Sequence, residues 1–319
     1  MIRAIRRAVG AVASRVGRHS AAGDGVLFER LRSEIEVNRI LLAQERVRQL
    51  RKDPDVSSLA DAEFRVFSQF GEDGIIQYLI SRVPVERDVF VEIGVEDYTE
   101  ANTRFLLQSG NWRGLLIERD PGSVARIRRK TLVWRHDLTV LQAFVTRENV
   151  NDLLVSGGVT GDIGLLSIDV DGNDYWIWEA VGAVSPRIVV IEYNSVFGPE
   201  AAVSIPYEAS FTRARAHDSH LYFGASLRAL CHLAAVKGYT FAGTTRAGNN
   251  AFFVRTDVAG RIRPLSCAEG YVESRFAESR DRAGELSFLR GSDRLDAIAH
   301  LPVVDVVSGQ EGSLSQLSG

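Results

Sequence analysis

Short apolar runs alternate with amphipathic stretches along the chain from residue 62 onwards. The runs carry few charges, which is typical of parallel strands that are buried on both faces. The stretches between them carry apolar residues at helical spacing, and residues 139–155, for example, predict the helix after the third strand. The pattern predicts five strands, at residues 88–95, 113–120, 131–138, 162–170 and 186–194.

The alternating region ends in a different pattern. Residues 226–238 predict a helix that begins after Ser226 and ends at Gly238. Two strand-like runs follow at 239–245 and 250–255, and the RAGNN segment between them predicts a hairpin. The region therefore predicts an α/β fold, with a mostly parallel, doubly wound sheet and a terminal antiparallel hairpin.

Segments without this alternation flank the predicted main domain, residues 61–256. Residues 1–60 predict an N-terminal helical extension and a linker, in which 27–52 would form a helix pair or a short coiled coil. Residues 257–319 predict a C-terminal extension that packs on the domain and either covers its pocket or mediates contacts in a homo-oligomer.

The first 18 residues, MIRAIRRAVGAVASRVGR, combine five arginines with apolar residues at helical spacing and contain no acid. This pattern is typical of a basic amphipathic helix that lies on an anionic membrane surface. A solvated tail is the alternative interpretation.

Composition narrows the classes of function. The formal net charge of −3 gives no reason to expect a nucleic-acid partner. The two cysteines, Cys231 and Cys267, lack CxxC spacing, which argues against a zinc site or a disulfide framework. No apolar run approaches the roughly 20 residues of a membrane-spanning helix. We therefore expect a cytoplasmic protein, with at most a peripheral contact at the inner face of the membrane.

The ends of the predicted strands are the places to look for a site, because ligands of such sheets bind beyond the carboxyl ends. The first strand ends in Glu92, Ile93 and Gly94, and the chain continues VEDY instead of completing the GxGxxG of a dinucleotide site. Glu96 and Asp97 would repel a pyrophosphate. An NAD-linked oxidoreductase is therefore disfavoured, and a cationic cofactor without phosphates, such as S-adenosylmethionine, fits better.

The next two predicted strands also end in acids. Glu118 follows the glycine turn at the spacing where an acid accepts hydrogen bonds from ribose hydroxyls. Asp137 would end the third strand, in a loop that could hold an adenine amino group. The alternatives are a surface acid paired with an arginine for Glu118 and a helix N-cap for Asp137.

The fourth strand leads into SIDVDGND, in which Asp169, Asp171 and Asp174 lie within six positions. In strand geometry, Asp169 and Asp171 point to the same side. Glu192 lies near the end of the fifth strand, and if the fourth and fifth strands are neighbours, this set of oxygen ligands suits Mg²⁺. The structural alternative is that Asp174 caps its helix and Glu192 pairs with an arginine. Asp169 is predicted to have a catalytic or cofactor-binding role in either case.

A catalytic base is predicted in the loop ARAHDSHLYFG after the fifth strand, which contains His217 and His220. His217 would accept the proton of a substrate hydroxyl, and Asp171 is the alternative base. A solvated loop histidine is the other interpretation.

Five segments together resemble the FkbM-type methyltransferases: SQFGEDGII (68–76), VFVEIGVEDYTEANT (89–103), GLLIERDP (114–121), SIDVDGND (167–174) and IVVIEYN (188–194). The most specific parts are SQ-x-GED and the pairing of IDVDG with a later IEYN. The resemblance implies a seven-stranded Rossmann-like fold and methyl transfer from S-adenosylmethionine to hydroxyls of sugars, polyketides and other natural products.

By position, the resemblance implies a set of cofactor-binding residues: Gln69, Glu92, Gly94, Asn102, Glu118 and Asp169. The chain departs from the family after the first strand, where GVEDY replaces a turn such as GANxG. This departure favours a second hypothesis, a non-catalytic scaffold that kept the fold.

Acids at three separate strand ends are hard to explain without a ligand, so the enzyme is the preferred hypothesis. We expect an O-methyltransferase that acts on a glycan or glycolipid, with Mg²⁺ as an optional cofactor.

Deletion of residues 1–20 should reduce the fraction of protein that sediments with anionic liposomes, because it removes the arginines and the apolar face. Neutral liposomes serve as the control for non-specific pelleting. Equal sedimentation of the truncated and full-length proteins with anionic liposomes would show that the segment is not a membrane anchor.

Overall fold

The computed structural model describes residues 27, 30–52, 56 and 58–317. The predicted basic helix at 1–20 lies outside these residues. The chain divides into two units, one ending at Arg48 and the other beginning at Gln49. No helix among the described residues combines the length and the apolar character needed to cross a bilayer.

A continuous helix, α1, covers residues 30–52. Its predicted apolar face is largely uncovered, since Leu31, Ile35 and Leu42 are each more than half exposed, whereas Leu50 is buried.

Strands and further helices follow in regular alternation over the first two-thirds of the second unit. The strands are β1 (Val89–Ile93), β2 (Arg113–Glu118), β3 (Leu138–Gln142), β4 (Gly161–Ile168), β5 (Val184–Glu192), β6 (Val203–Ser204), β7 (Tyr239–Thr244), β8 (Asn250–Arg255), β9 (Pro302–Asp305) and β10 (Glu311–Ser313). The helices are α2 (Leu59–Ala62), α3 (Glu72–Arg82), α4 (Arg104–Gly110), α5 (Pro121–Arg129), α6 (Leu132–Arg135), α7 (Val150–Ser156), α8 (Asp174–Ala180), α9 (Arg213–Ala216), α10 (Leu227–Lys237), α11 (Cys267–Gly270), α12 (Ser292–Ile298) and α13 (Leu314–Leu317).

Seven strands form one sheet in the order β3-β2-β1-β4-β5-β8-β7. β8 pairs antiparallel with both of its neighbours, and the other six strands run in one direction. This topology confirms the predicted seven-stranded, Rossmann-like α/β fold with its terminal hairpin. The carboxyl ends of β1, β2, β4 and β5 consequently meet at one edge of the sheet.

Apolar clusters cover both faces of this sheet, which explains why its strands are almost continuously apolar. Val91 and Ile93 of β1 pack in the cluster that contains Trp178 of α8. Phe90, one position away from Val91, packs in the opposite cluster with Leu79 of α3. Every residue of β1 is buried as a result.

The third strand lies later in the chain than predicted. Half of the segment 131–138 forms α6, and β3 begins only at Leu138. Trp134 is 72% exposed, so the LVW run is not a buried strand. The alternation that makes a strand starts at Leu138, which is buried together with Val140. The prediction of one helix over 139–155 was wrong for the same reason. β3 occupies the beginning of this segment, and the helix there, α7, begins only at Val150.

The C-terminal extension folds back onto the main domain. β6 comes from the middle of the chain and pairs with β9, which pairs with β10, in a small antiparallel sheet. Phe197 and Phe211 pack with Ile298 and Val303 in one apolar cluster. The extension thereby forms part of the structure around the carboxyl end of β5.

Gly94 follows β1 at a point where the backbone comes very close to the residue after β4, Asp169. Its N–H donates to the carbonyl of Ile117, and the N–H of Asp169 donates to the carbonyl of Ile93. A Cβ atom on Gly94 would lie 1.7 Å from the carbonyl oxygen of Asp169, and φ is +78° there. Only glycine combines this conformation with this approach.

Replacement of Gly94 by alanine should therefore destabilise the fold more than positive φ alone explains. Gly238 provides the matched control, because its φ is +79° and a Cβ atom added to it would meet no other atom within 4 Å. We expect Gly238→Ala to lower the free energy of unfolding by about 1 kcal/mol. Gly94→Ala should cost about 1–3 kcal/mol more, because the Asp169 backbone must move. Denaturant unfolding measures both, and equal losses would contradict the steric explanation.

Candidate functional site

One cavity of about 840 Å³ opens at the carboxyl ends of β1, β2, β4 and β5. Acids dominate the charged side chains in its wall, which favours cationic ligands. The ten acids are Glu92, Glu96, Asp97, Glu100, Glu118, Asp120, Asp169, Asp171, Glu192 and Glu278, and the four arginines are Arg119, Arg126, Arg213 and Arg294.

Glu92 holds the chain that enters α4. Its carboxylate accepts hydrogen bonds from the backbone N–H groups of Asn102 (2.8 Å) and Thr103 (3.1 Å) and from the Thr103 hydroxyl. Burial raises the pKa of Glu92 to about 7, although these hydrogen bonds oppose the shift. The Asn102 side chain in turn donates to the hydroxyl of Ser167 on β4 at 3.1 Å. The predicted residues Glu92 and Asn102 thus form one connected support beneath the cavity.

Glu118 connects the loops after β1 and β2. One of its oxygens accepts the N–H groups of Val95 (3.0 Å) and Glu96 (2.8 Å), and the other accepts the N–H of Asp120 (2.8 Å). A carboxylate oxygen can accept two hydrogen bonds, so Glu118 retains capacity for one more at the oxygen that faces Asp120. That remaining lone pair is available to a ligand in the cavity.

The unusual GVEDY turn has a structural role. Glu96 and Tyr98 both have positive φ, which is uncommon for residues other than glycine. Tyr98 is completely buried, and its hydroxyl lies 3.0 Å from that of Thr103. Partial burial would raise the pKa of Asp97, but hydrogen bonds from Thr99 and the charge of Lys130 outweigh it and lower that pKa. The turn therefore places two acids on the cavity wall without a glycine-rich sequence.

Asp169, Asp171 and Glu192 converge at the centre of the cavity, with ligand atoms that all lie within 4.8 Å of one another. Protein surrounds Asp169, but its side chain stays open to the cavity. Burial is the main reason that its pKa lies well above the usual value, and repulsion from Asp171 is the second. Burial and the charge of Asp169 likewise raise the pKa of Glu192. The acid cluster therefore favours a proton or a bound cation over three bare charges.

Few groups of the described chain neutralise this acid cluster. Arg213 lies 3.1 Å from Asp171, but no described basic side chain forms an ion pair with Asp169 or Glu192. The Oε2 atom of Glu192 is buried and lacks any hydrogen-bond partner among the described residues. An unpartnered buried carboxylate oxygen and two neighbouring carboxylates are hard ligands of the kind that Mg²⁺ or Mn²⁺ prefers, so these residues fit a divalent cation.

Asp174 has a structural role, but it is not the helix cap that was the predicted alternative, because Asn173 occupies the N-cap position and the carboxylate binds the preceding turn. Its two oxygens accept the N–H groups of Val170 and Gly172, both at 2.9 Å, and the residue is fully buried at the start of α8. Burial raises its pKa to about 6 despite these hydrogen bonds.

The structure brings most of the predicted site residues together. The predicted residues that line the cavity are Gln69, Glu92, Gly94, Asn102, Glu118, Asp169, Asp171 and Glu192. Asp137 and His217 do not line it, and both placements need correction.

Asp137 lies at the opposite edge of the sheet. It precedes β3 instead of following it, and it pairs with Arg113 at 3.6 Å. The error follows from the misplaced third strand. Residues after the true β3, including Phe144, line the cavity in the place that was predicted for Asp137.

His217 does not line the cavity. Its Nδ1 lies 2.8 Å from the Ser219 hydroxyl, and its ring lies 5.8 Å from that of His300. Partial burial and the charge of His300 lower the pKa of His217. From the same loop region, Arg213 and Phe223 line the cavity instead, so the structure does not place His217 at the cavity as predicted.

The C-terminal extension supplies cavity residues that sequence reasoning missed. The Tyr271 hydroxyl donates to the carbonyl of Ser195 (2.9 Å), and the N–H of Ser274 donates to the Ser195 hydroxyl (2.9 Å). These bonds hold an irregular segment against the chain that follows β5. Ser274, Phe276, Glu278 and Arg294 line the cavity as a result. No periodicity marks these positions in the sequence.

Comparison with known proteins gave matches among solved structures only. No family model matches the sequence, and no curated protein matches it. The matching structures include the pyocyanin biosynthetic protein PhzM, with 13% identity and a TM-score of 0.33. That match covers 57% of this chain and 56% of PhzM, so it spans little more than half of that protein.

Two further matches are structures with SAH. The N-terminal domain of EvdMO1 with SAH bound has 11% identity and a TM-score of 0.38, over 69% of this chain and 96% of that one. The O-methyltransferase from Bacillus cereus in complex with SAH has 13% identity and a TM-score of 0.33, over 52% and 72% of the two chains.

Mn²⁺ should bind to the acid cluster, and Glu192→Gln should weaken that binding by about tenfold or more because it removes a charged ligand. Glu100→Gln is the matched control, since Glu100 also lines the cavity but pairs with Arg65 at 2.9 Å. Calorimetric titration measures the affinities. Equal affinity of the wild-type and Glu192→Gln proteins, or equal weakening by Glu100→Gln, would contradict this assignment.

Proposed function

We propose that the protein is an S-adenosylmethionine-dependent O-methyltransferase. The observation that carries this proposal is the cavity at the carboxyl edge of the sheet, in which ten acids face four arginines. S-adenosylmethionine supplies a methyl group from a sulfonium and also carries an ammonium, so an acid-lined cavity suits it. The absence of a phosphate-binding glycine loop in the sequence is consistent with a cofactor that lacks phosphates.

The cofactor would occupy the half of the cavity above β1, β2 and β3. Glu118 has one free acceptor position for a ribose hydroxyl. Phe144 is 39% exposed in the cavity wall after β3 and offers an apolar surface to an adenine ring. Gln69 and Asn102 line the cavity near the end of β1 and would contact the amino-acid portion.

The acceptor would occupy the other half, above β4 and β5. Asp169, Asp171 and Glu192 would hold a divalent cation there, which lowers the pKa of a bound hydroxyl. Arg213 orients Asp171 through their 3.1 Å contact. Phe211 also lines this half and would limit the access of water to the reacting atoms.

A glycan or glycolipid is the proposed acceptor. The FkbM resemblance supports this substrate class, and so does the polar character of the wall. Asn173, for example, is only 4% exposed, lines the cavity, and has a side-chain carbonyl oxygen without a partner among the described residues. Such a group suits an acceptor with several hydroxyls, because each unmade hydrogen bond in a buried site costs free energy.

Calorimetric titration with S-adenosylhomocysteine tests the proposal. The wild-type protein should bind it, and Glu118→Ala should weaken binding by about tenfold or more, since a hydrogen bond to a charged group is lost. Glu100→Ala serves as the control for a cavity acid outside the predicted contact set.

Glu118 also holds two loops, so thermal unfolding must show that Glu118→Ala remains folded. No binding by a folded wild-type protein would rule out the proposed function and favour the scaffold hypothesis.

A further inference from the structure

Arg294 differs in its surroundings from the other arginine in the acceptor half of the cavity. It belongs to α12 and is half-buried in the wall beside Ser195 and Ser274. Among the described residues, its buried Nε atom has no partner, and its guanidinium donates one hydrogen bond, from Nη1 to the carbonyl of Ser274, which is long at 3.4 Å. Arg213, in contrast, pairs with Asp171 at 3.1 Å and with Glu278 at 4.0 Å.

No described carboxylate forms an ion pair with Arg294, so its charge lacks a direct partner within the described chain. Burial lowers its pKa, as does the charge of Arg213, while Glu273 and Tyr271 act in the opposite direction. A partly buried guanidinium is stable in such a place when a ligand supplies the missing acceptors.

The free donors of Arg294 define the chemistry of that ligand. Nε and Nη2 form one edge of the guanidinium, and neither has a partner among the described residues. With this edge turned toward the cavity, the guanidinium would donate two parallel hydrogen bonds, which match the two oxygens of a carboxylate or phosphate.

We propose, on the basis of the proposed function, that Arg294 binds an oxyanion carried by the methyl acceptor. The acceptor is then an acidic glycan, bearing either a carboxylate or a phosphate. The acid cluster would repel such a group, so the oxyanion is held on the arginine side while a hydroxyl reaches Asp169 and Glu192.

This arrangement also explains how a neutral acceptor would be rejected. A neutral sugar leaves the Nε atom of Arg294 buried and unpaired, whereas an acidic sugar satisfies it. Arg294 therefore determines specificity and does not contact the transferred methyl group.

Thermal unfolding in phosphate, acetate and chloride at equal ionic strength tests the proposal directly. Phosphate also stabilises proteins non-specifically, so the measured quantity is the excess: phosphate or acetate, relative to chloride, should stabilise the wild-type protein more than it stabilises Arg294→Gln. Arg290→Gln is the matched control, because Arg290 is exposed in the same segment and does not line the cavity. The anion whose stabilising effect falls more in Arg294→Gln identifies the group on the acceptor.

Two results would overturn the proposal: no difference between the anions in the wild-type protein, or the same difference in Arg294→Gln. The second result would mean that only non-specific anion effects are present. Arg294→Gln should not lower the unfolding temperature in chloride, because it removes an unpaired charge.

The same samples are titrated with S-adenosylhomocysteine, which should bind all three proteins equally. Failure of the wild-type protein to bind it contradicts the proposed function, whereas a normal titration without an oxyanion effect contradicts only the role of Arg294.

Discussion

The close approach of Gly94 to the carbonyl of Asp169 is the contact on which the rest of the site depends. It joins the ends of β1 and β4, at a point where a Cβ atom would lie 1.7 Å from the carbonyl oxygen. The neighbouring backbone bonds then fix the end of β2 through Ile117. Because these three strand ends are held together, Glu92, Glu118 and Asp169 face one cavity instead of three separate surfaces.

Hydrogen bonds from backbone N–H groups distinguish the structural acids at the strand ends from the acid cluster. Glu92, Glu118 and Asp174 each accept backbone N–H groups from loops at the strand ends. Their charge stabilises loop conformations that the short connections of this fold require. Asp169 and Glu192 accept no comparable bonds from the described residues, and the acid cluster therefore carries the unbalanced charge of the site.

Much of the fold could be predicted because hydrophobic periodicity reports burial on both faces of the sheet. β1, β2, β4 and β5 lie close to the predicted positions, and the hairpin of β7 and β8 does also. The error at β3 arose because Trp134 was interpreted as a buried residue of a strand, although it is exposed on α6. Local composition does not distinguish an exposed aromatic residue from a buried one, and the displaced strand then misplaced Asp137.

The prediction of the site from sequence was limited for a related physical reason. Residue type and spacing indicated where carboxylates gather, but they did not separate Asp174, which is satisfied by amides, from Glu192, which is not. That difference depends on the backbone conformation of the turn after β4, which points the N–H groups of Val170 and Gly172 at Asp174. The same holds for Arg294, which reaches the cavity only because the C-terminal extension is bound to the chain after β5. A segment far away in sequence thus contributes a cation to the cavity wall, and a pattern confined to neighbouring residues does not encode that placement.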